Sequence, residues 1–175
     1  MDNPKGVDPH KRDAWLRLDD AALLGQCREE HYRSGGPGGQ RRNKVETAIR
    51  LHHRPTGLAA QAEDSRSLQE NRVRALRRLR ERMALELRTP LNLEAPSLPP
   101  EFLAYRGPNG TLSINPRNPS YPIVVATVLD ALAVAEESYA RAARALGLTT
   151  SQVLRFLQSD PQVWRRMNQR RPKQG

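Results

Sequence analysis

Arg33-Ser34-Gly35-Gly36-Pro37-Gly38-Gly39-Gln40 is the stretch on which the reading of this chain turns. From Ser34 to Gln40, five of seven residues are glycine or proline, so neither a helix nor a strand can run through it. Before it, residues 28–33 read as a weak strand, because Glu29, Glu30 and His31 are polar. After it, residues 47–53 alternate, with Ile49 and Leu51 on one side of a second strand. Pro55-Thr56-Gly57 makes a turn, and Leu58 to Ala62 a returning strand. Asp64-Ser65 is then expected to cap a long helix through about Leu87, with Leu68, Ala75, Leu76, Leu79, Met83 and Leu87 as one apolar stripe. Upstream, Asp19 or Asp20 caps a short helix through Ala21, Leu23 and Leu24. The expected class is α+β: a short sheet packed on a long basic helix.

Taken alone, the loop admits three readings: a plain surface turn, a phosphate cradle, or a site defined by its neighbours. Neither G-x-x-x-x-G-K-[ST] nor G-x-G-x-x-G occurs, which weakens the nucleotide cradle. No G-x-S-x-G elbow and no metal-ligand cluster is present, so no metal is expected. His52 and His53 are adjacent, and on a strand adjacent side chains point to opposite faces. Cys27, the one cysteine, excludes an internal disulfide framework.

Composition narrows the partner. The 175 residues carry 29 Lys and Arg against 19 Asp and Glu, a formal net charge of +10. That excess points to a polyanion, with nucleic acid ahead of an anionic membrane. Segments 33–54, 66–88 and 165–175 hold six, eight and five of the basic residues and only four acids, Glu46, Glu70, Glu81 and Glu86. The positive charge is therefore concentrated around the loop, on the helix behind it and at the C-terminal end. No apolar run approaches a membrane span, and the first residues have no apolar signal core, so a cytoplasmic protein is expected.

Proline divides the chain: eight of its 14 prolines lie between Pro90 and Pro122. The organisation read from this is a loop-bearing domain over 1–88, a proline-rich linker over 89–120, a helical block over 121–170 and a basic tail over 165–175. In the linker, 103–105 and 111–114 flank Gly107-Pro108-Asn109-Gly110 and could form a small hairpin. The block reads as four helices: Ile123 to Ala135; Tyr139 to Leu146, ended by Gly147; one capped by Thr149 or Thr150 through Gln158; and one opened by Pro161 after Ser159 or Asp160. Ala143, Gly147 and Val153 have helix-turn-helix spacing, with Gln152, Arg155 and Gln158 on the second helix. The block reads as a packing bundle or as a DNA reader.

The loop and its neighbours resemble the catalytic domain of class I peptide chain release factors. Arg33 to Gln40 is followed by Asn43-Lys44, Thr47-Ala48-Ile49-Arg50-Leu51, Pro55-Thr56-Gly57-Leu58, Arg66-Ser67, Asn71-Arg72 and Leu79-Arg80-Glu81-Arg82 in the family's order and spacing, from about residue 27 to 88. Two departures stand out: Arg41-Arg42 where many members carry a smaller or apolar pair, and Leu68 where Gln is usual.

The resemblance implies hydrolysis of the peptidyl-tRNA ester in the ribosomal peptidyl transferase centre, without a cofactor. Gly38, Gly39 and Gln40 would be the catalytic residues. The glycines would permit a backbone closed to other residues, the Gln40 N–H would donate to developing charge on oxygen, and its side chain would place or exclude water. Gln40 would also be the target of N-methylation. Arg33, Ser34, Arg41, Arg42, Asn43, Lys44, Arg66 and Arg72 would contact ribosomal RNA, with Asn43 alternatively bracing the segment after the loop. Only 33 residues precede Ser34, which leaves no room for the family's separate stop-codon reader. The expected relatives are thus the short, codon-independent members that rescue stalled ribosomes. Arg165, Arg166, Arg170 and Arg171 would enter the messenger channel, or form a solvated terminus. A monomer is expected. The competing functions are a non-catalytic adaptor for ribosomes or structured RNA, and a DNA-binding regulator.

Overall fold

A computed structural model describes Asn3–Pro4, residues 6–32 and residues 47–168. The described chain is α+β and divides into two compact units, one over Pro4–Met83 and one formed by Ala84 onward with Asn3.

The first unit opens with a 3-10 turn, Pro9–Lys11, leading into helix α1 (Arg12–Arg17). Helix α2 (Asp20–Gly25) is capped by Asp19, whose side chain accepts the Ala22 N–H at 2.7 Å. Three strands follow: β1 (Cys27–Tyr32), β2 (Ala48–His53) and β3 (Ala59–Ala62), in an antiparallel sheet of order β1-β2-β3. Cys27 faces His53 and Tyr32 faces Ala48, while Ile49 faces Ala62. The alternation expected of β2 is realised: Ile49, Leu51 and His53 are wholly buried, Arg50 is exposed and His52 half-buried. Gly57, at φ +69°, closes the turn into β3.

Helix α3 (Leu68–Glu86) follows the sheet. Its start corrects the expected cap. Ser67, not Asp64 or Ser65, accepts the Glu70 N–H at 3.3 Å, while the Ser65 hydroxyl donates to Glu70 at 2.6 Å and accepts the Ser67 N–H. The helix begins late because residues 64–66 form a bend, held by the side chain of Asn71. Its buried face runs Asn71, Ala75, Leu76, Leu79 and Met83, and Leu68 is only half-buried.

The second unit contains helices α4 (Pro100–Tyr105), α5 (Tyr121–Val134), α6 (Tyr139–Leu146), α7 (Thr150–Ser159) and α8 (Pro161–Asn168). Residues 121–132 of α5 are all buried, so this helix is the unit's centre, as its apolar sequence on every face demands. Asp130 of α5 pairs with Arg88 at 3.2 Å, and both are nearly inaccessible. Thr149 caps α7 and Asp160 caps α8, accepting the Gln162 N–H at 2.8 Å.

Residues 89–120 are more than a linker. Pro100 sits at the first position of α4, where its missing N–H costs nothing, and Phe102 is wholly buried. Residues 103–105, expected as a hairpin arm, are therefore helical. The turn over 107–110 survives, closed by an isolated bridge between Arg106 and Leu112. Gly147 ends α6 at φ +65°, and Arg106 donates Nη1 to the Leu146 carbonyl at 3.2 Å. A Cβ at Gly147 would lie 2.5 Å from that nitrogen. Ala143 and Val153 are buried as helix-turn-helix spacing requires, with Arg155 and Gln158 exposed and Gln152 half-buried.

Candidate functional site

Residues 33–46 join the facing ends of β1 and β2, after Tyr32 and before Thr47. Gly38, Gly39 and Gln40, with Arg33, Ser34, Arg41, Arg42, Asn43 and Lys44, lie outside the described residues. The frame on which that segment is mounted is described in full.

Asn71 anchors its C-terminal side. The side chain is wholly buried, donating Nδ2 to the Thr47 carbonyl at 2.7 Å and to the Ser65 carbonyl at 2.8 Å, and accepting the Ser65 N–H on Oδ1 at 2.9 Å. An amide is required here, because only Asn or Gln offers two donors and an acceptor on one planar group. The first residue after the segment is thereby tied to the first turn of α3.

Arg72, the next residue, anchors the N-terminal side. It donates Nε and Nη2 to the two carboxylate oxygens of Glu29 in β1, at 2.9 and 2.7 Å, and Nη1 to Gln69 at 2.8 Å. The Arg72 hydrogen bonds, with His31 at 2.5 Å on the same carboxylate, hold Glu29 down to about 2. With its fork committed to Glu29, Arg72 braces the strand rather than reaching outward as a phosphate ligand. On β1, Glu30 meets His52 of β2 at 3.0 Å and Arg28 at 2.6 Å; the hydrogen bond from His52 is the main cause of its lowered pKa. At the mouth of the segment, Arg50 lies over the Tyr32 ring at 5.5 Å. The Tyr32 hydroxyl is buried without a well-formed hydrogen bond, and burial, with the Glu63 carboxylate adding to it, raises its pKa.

The reactive-looking side chains at the other end of the β1–β2 ladder, Cys27 and His53, are structural. Burial pushes the Cys27 thiol up to about 11, and the thiol donates to the Leu23 carbonyl at 3.3 Å. It is an apolar core group, not a nucleophile. His53 is wholly buried, edge-on to Trp15 at 5.3 Å, and burial lowers its pKa to about 4. With Gln26 Oε1 facing Nε2 at 3.0 Å, the neutral ring donates from Nε2 and accepts from the Thr56 hydroxyl at 2.8 Å. Both nitrogens are used, so His53 has no capacity to take a substrate proton. His52 and His53 do point to opposite sides, as their adjacency implied. Among the described residues, no group of three His, Cys, Asp or Glu is placed to hold a metal ion, and no helix is long and apolar enough to cross a membrane.

One turn of α3 thus braces the described residues on both sides of the sequence that carries Gly38-Gly39-Gln40. Residues 24–95 match the RF-1 domain. The resemblance drawn from Arg33 to Arg82 therefore holds, and the stretch is consistent with a Gly-Gly-Gln domain. Peptide chain release factor 1 of Levilactobacillus brevis is 40% identical over 78 residues, 45% of this chain and 20% of the relative. That of Caldicellulosiruptor saccharolyticus is 48% identical over 54 residues, 31% of this chain and 15% of the relative. That of Chloroherpeton thalassium is 50% identical over 52 residues, 30% and 14%. The chain thus spans about a fifth or less of the length of these release factors.

Of the remaining sites read from sequence, Arg66 is exposed and makes no hydrogen bond or ion pair among the described residues. Arg165 is exposed on α8; Arg166 is half-buried, with an enclosed Nε that has no hydrogen-bond partner among the described residues. The basic end therefore begins inside a packed helix, with Met167 buried beside it. Arg170 and Arg171 lie outside the described residues. Asn71 and Glu29 were missing from the candidate set. Asn71 lies in the matching Asn71-Arg72 pair, and a polar residue on an apolar stripe is the one sequence signal of its structural role.

Proposed function

We propose that the chain hydrolyses the peptidyl-tRNA ester on the ribosome without reading a stop codon, releasing nascent peptides. The observation that carries the proposal is Gly38-Gly39-Gln40 within an RF-1 domain whose strands are braced by Asn71 and Arg72. Because Cys27 and His53 are spent on the core, the chemistry falls to the loop and to what the ribosome supplies. Gln40 donates its backbone N–H to the charge developing on oxygen and places water with its side chain. No general base is needed from the described side chains, since positioning alone accounts for large accelerations. Arg33, Arg41, Arg42, Lys44 and Arg66 meet ribosomal RNA phosphates, and Arg165, Arg166, Arg170 and Arg171 line the messenger path.

The test is release of labelled peptide from ribosomes stalled on truncated messenger lacking a stop codon. Gly39→Ala and Gln40→Ala each abolish release while leaving ribosome binding intact. Release by both variants at the unmodified rate refutes the proposal. Tight binding by the unmodified chain with no turnover favours a non-catalytic adaptor instead.

A further inference from the structure

Between Pro122 and Gly147 the sequence holds neither glycine nor proline, and it is rich in alanine, the strongest helix former. The structure nevertheless breaks this stretch into α5 and α6, with Ala135 to Ser138 between them. The break is a Schellman turn: the Glu137 N–H donates to the Leu132 carbonyl at 2.9 Å and the Glu136 N–H to the Ala133 carbonyl at 3.4 Å. Such a turn needs a residue in the left-handed region, where glycine is the rule. Here Glu136 takes φ +53° and Glu137 follows at φ +62°; they are the two non-glycine residues with positive φ among the described residues. In that conformation each Cβ crowds the following carbonyl oxygen.

Local preference and packing therefore disagree at this turn. A right-handed backbone at Glu136 and Glu137 removes the crowding and fuses α5 and α6 into one helix over residues 121–146, about 39 Å long. It also brings Glu137 alongside Arg141, four residues on, in the favourable order for an ion pair. What opposes fusion is the packing of the helices that follow. Helix α6 packs on α5 and buries Ala142, Ala143 and Leu146. At the other end of α5, the Tyr121 ring meets Phe156 of α7 at 6.1 Å, and its hydroxyl donates to Asp160 Oδ2 at 2.8 Å. Straightening the turn carries α6, α7 and α8 off their own α5 and bares these groups. The surface that matches them is another α5 of the same sequence, which a second copy of the chain supplies.

We propose that the chain forms a dimer by exchanging α6–α8 about a hinge at Glu136–Glu137, each copy docking these helices on the α5 of the other. The contacts between α5 and α6–α8 are then remade between copies, so relief of hinge strain is set against the entropy of association. The test is refolding of the full chain from urea at high and low protein concentration, followed by size-exclusion chromatography with light scattering. Reductant is present, so that Cys27 forms no cross-link. The expected dimer forms at high concentration and persists on dilution, because leaving it requires α6–α8 to undock. Glu136→Gly with Glu137→Gly relaxes the closed turn and weakens the fused helix, lowering the association constant by at least about a hundredfold. The same pair raises the thermal midpoint of the monomer. Glu136→Gln with Glu137→Gln removes the same charge but keeps the crowding, and shifts the constant by less than about tenfold. Absence of a dimer after refolding at high concentration overturns the proposal. So does a dimer that dissociates as soon as it is diluted, the mark of a surface contact, or one equally stable with the glycine pair. A monomer midpoint that the glycine pair leaves unchanged or lowers removes the strain on which the exchange depends, and overturns it too.

Discussion

Asn71→Leu is the substitution that separates pattern from structure most cleanly. By pattern it is an improvement, since it completes an apolar face that continues through Ala75, Leu76, Leu79 and Met83. By structure it removes one hydrogen bond from each of three backbone groups, Thr47 C=O, Ser65 C=O and Ser65 N–H. Each bond stabilises by about 1 kcal/mol net, and more where the stranded group stays away from water. The loss is therefore about 3–5 kcal/mol, and burying a leucine there returns at most about 2 kcal/mol. The net result is destabilisation of about 1–3 kcal/mol, read as a lowered urea midpoint at unchanged slope. Because Thr47 is the first residue after the segment that carries Gln40, peptide release falls further than stability does, on the order of tenfold to a hundredfold at temperatures where the variant is folded. Ribosome binding changes little. A midpoint equal to or above that of the unmodified chain refutes the reasoning, as does full release activity.

Three further outcomes follow from buried groups. His53 titrates at about 4 when folded against 6.5 when exposed, so its contribution is complete above pH 6.5 and is lost as pH falls to about 4. That loss is on the order of 3 kcal/mol, and His53→Gln flattens this part of the stability-against-pH curve measured by urea denaturation. Asp130→Ala removes the buried carboxylate that faces the Arg88 guanidinium and costs about 3–5 kcal/mol, whereas Arg88→Met with Asp130→Leu recovers most of it by calorimetry. Gly147→Ala forces a left-handed φ on a side chain and pushes Arg106 away, lowering stability by about 1–2 kcal/mol, while Gly147→Asn lowers it less.

The sheet, α3 and the last four helices were legible because each carries a local signal. Asp19, Thr149 and Asp160 act as caps, Gly57 and Gly147 take positive φ, and β2 alternates. What escaped depends on long-range pairing. β1 looks poor as a strand because its acids are balanced elsewhere: Glu29 by Arg72, 43 positions away, and Glu30 by His52, 22 positions away. Prolines from 90 to 122 read as breakers, yet one starts α4 and the segment buries Phe102. Of the site, Gly38-Gly39-Gln40 lies outside the described residues, and the bracing around it was not legible because Asn71 contradicts the apolar period it sits in.

That contradiction is what a glycine loop requires of its frame. Gly38 and Gly39 free the backbone but supply no side chain with which to fix it, and each adds to the entropy lost on ordering. Ester hydrolysis by positioning tolerates little misplacement. The precision must therefore come from where the loop is mounted. Consecutive residues stand about 100° apart around a helix, so Asn71 faces inward to Thr47 while Arg72 reaches across to β1. One turn of α3 thereby holds the strands on both sides of residues 33–46, whatever residues lie between. Under the proposed function Asn71 is a positioning residue, and the expected outcome of its loss is a rate of release reduced more than affinity for the ribosome.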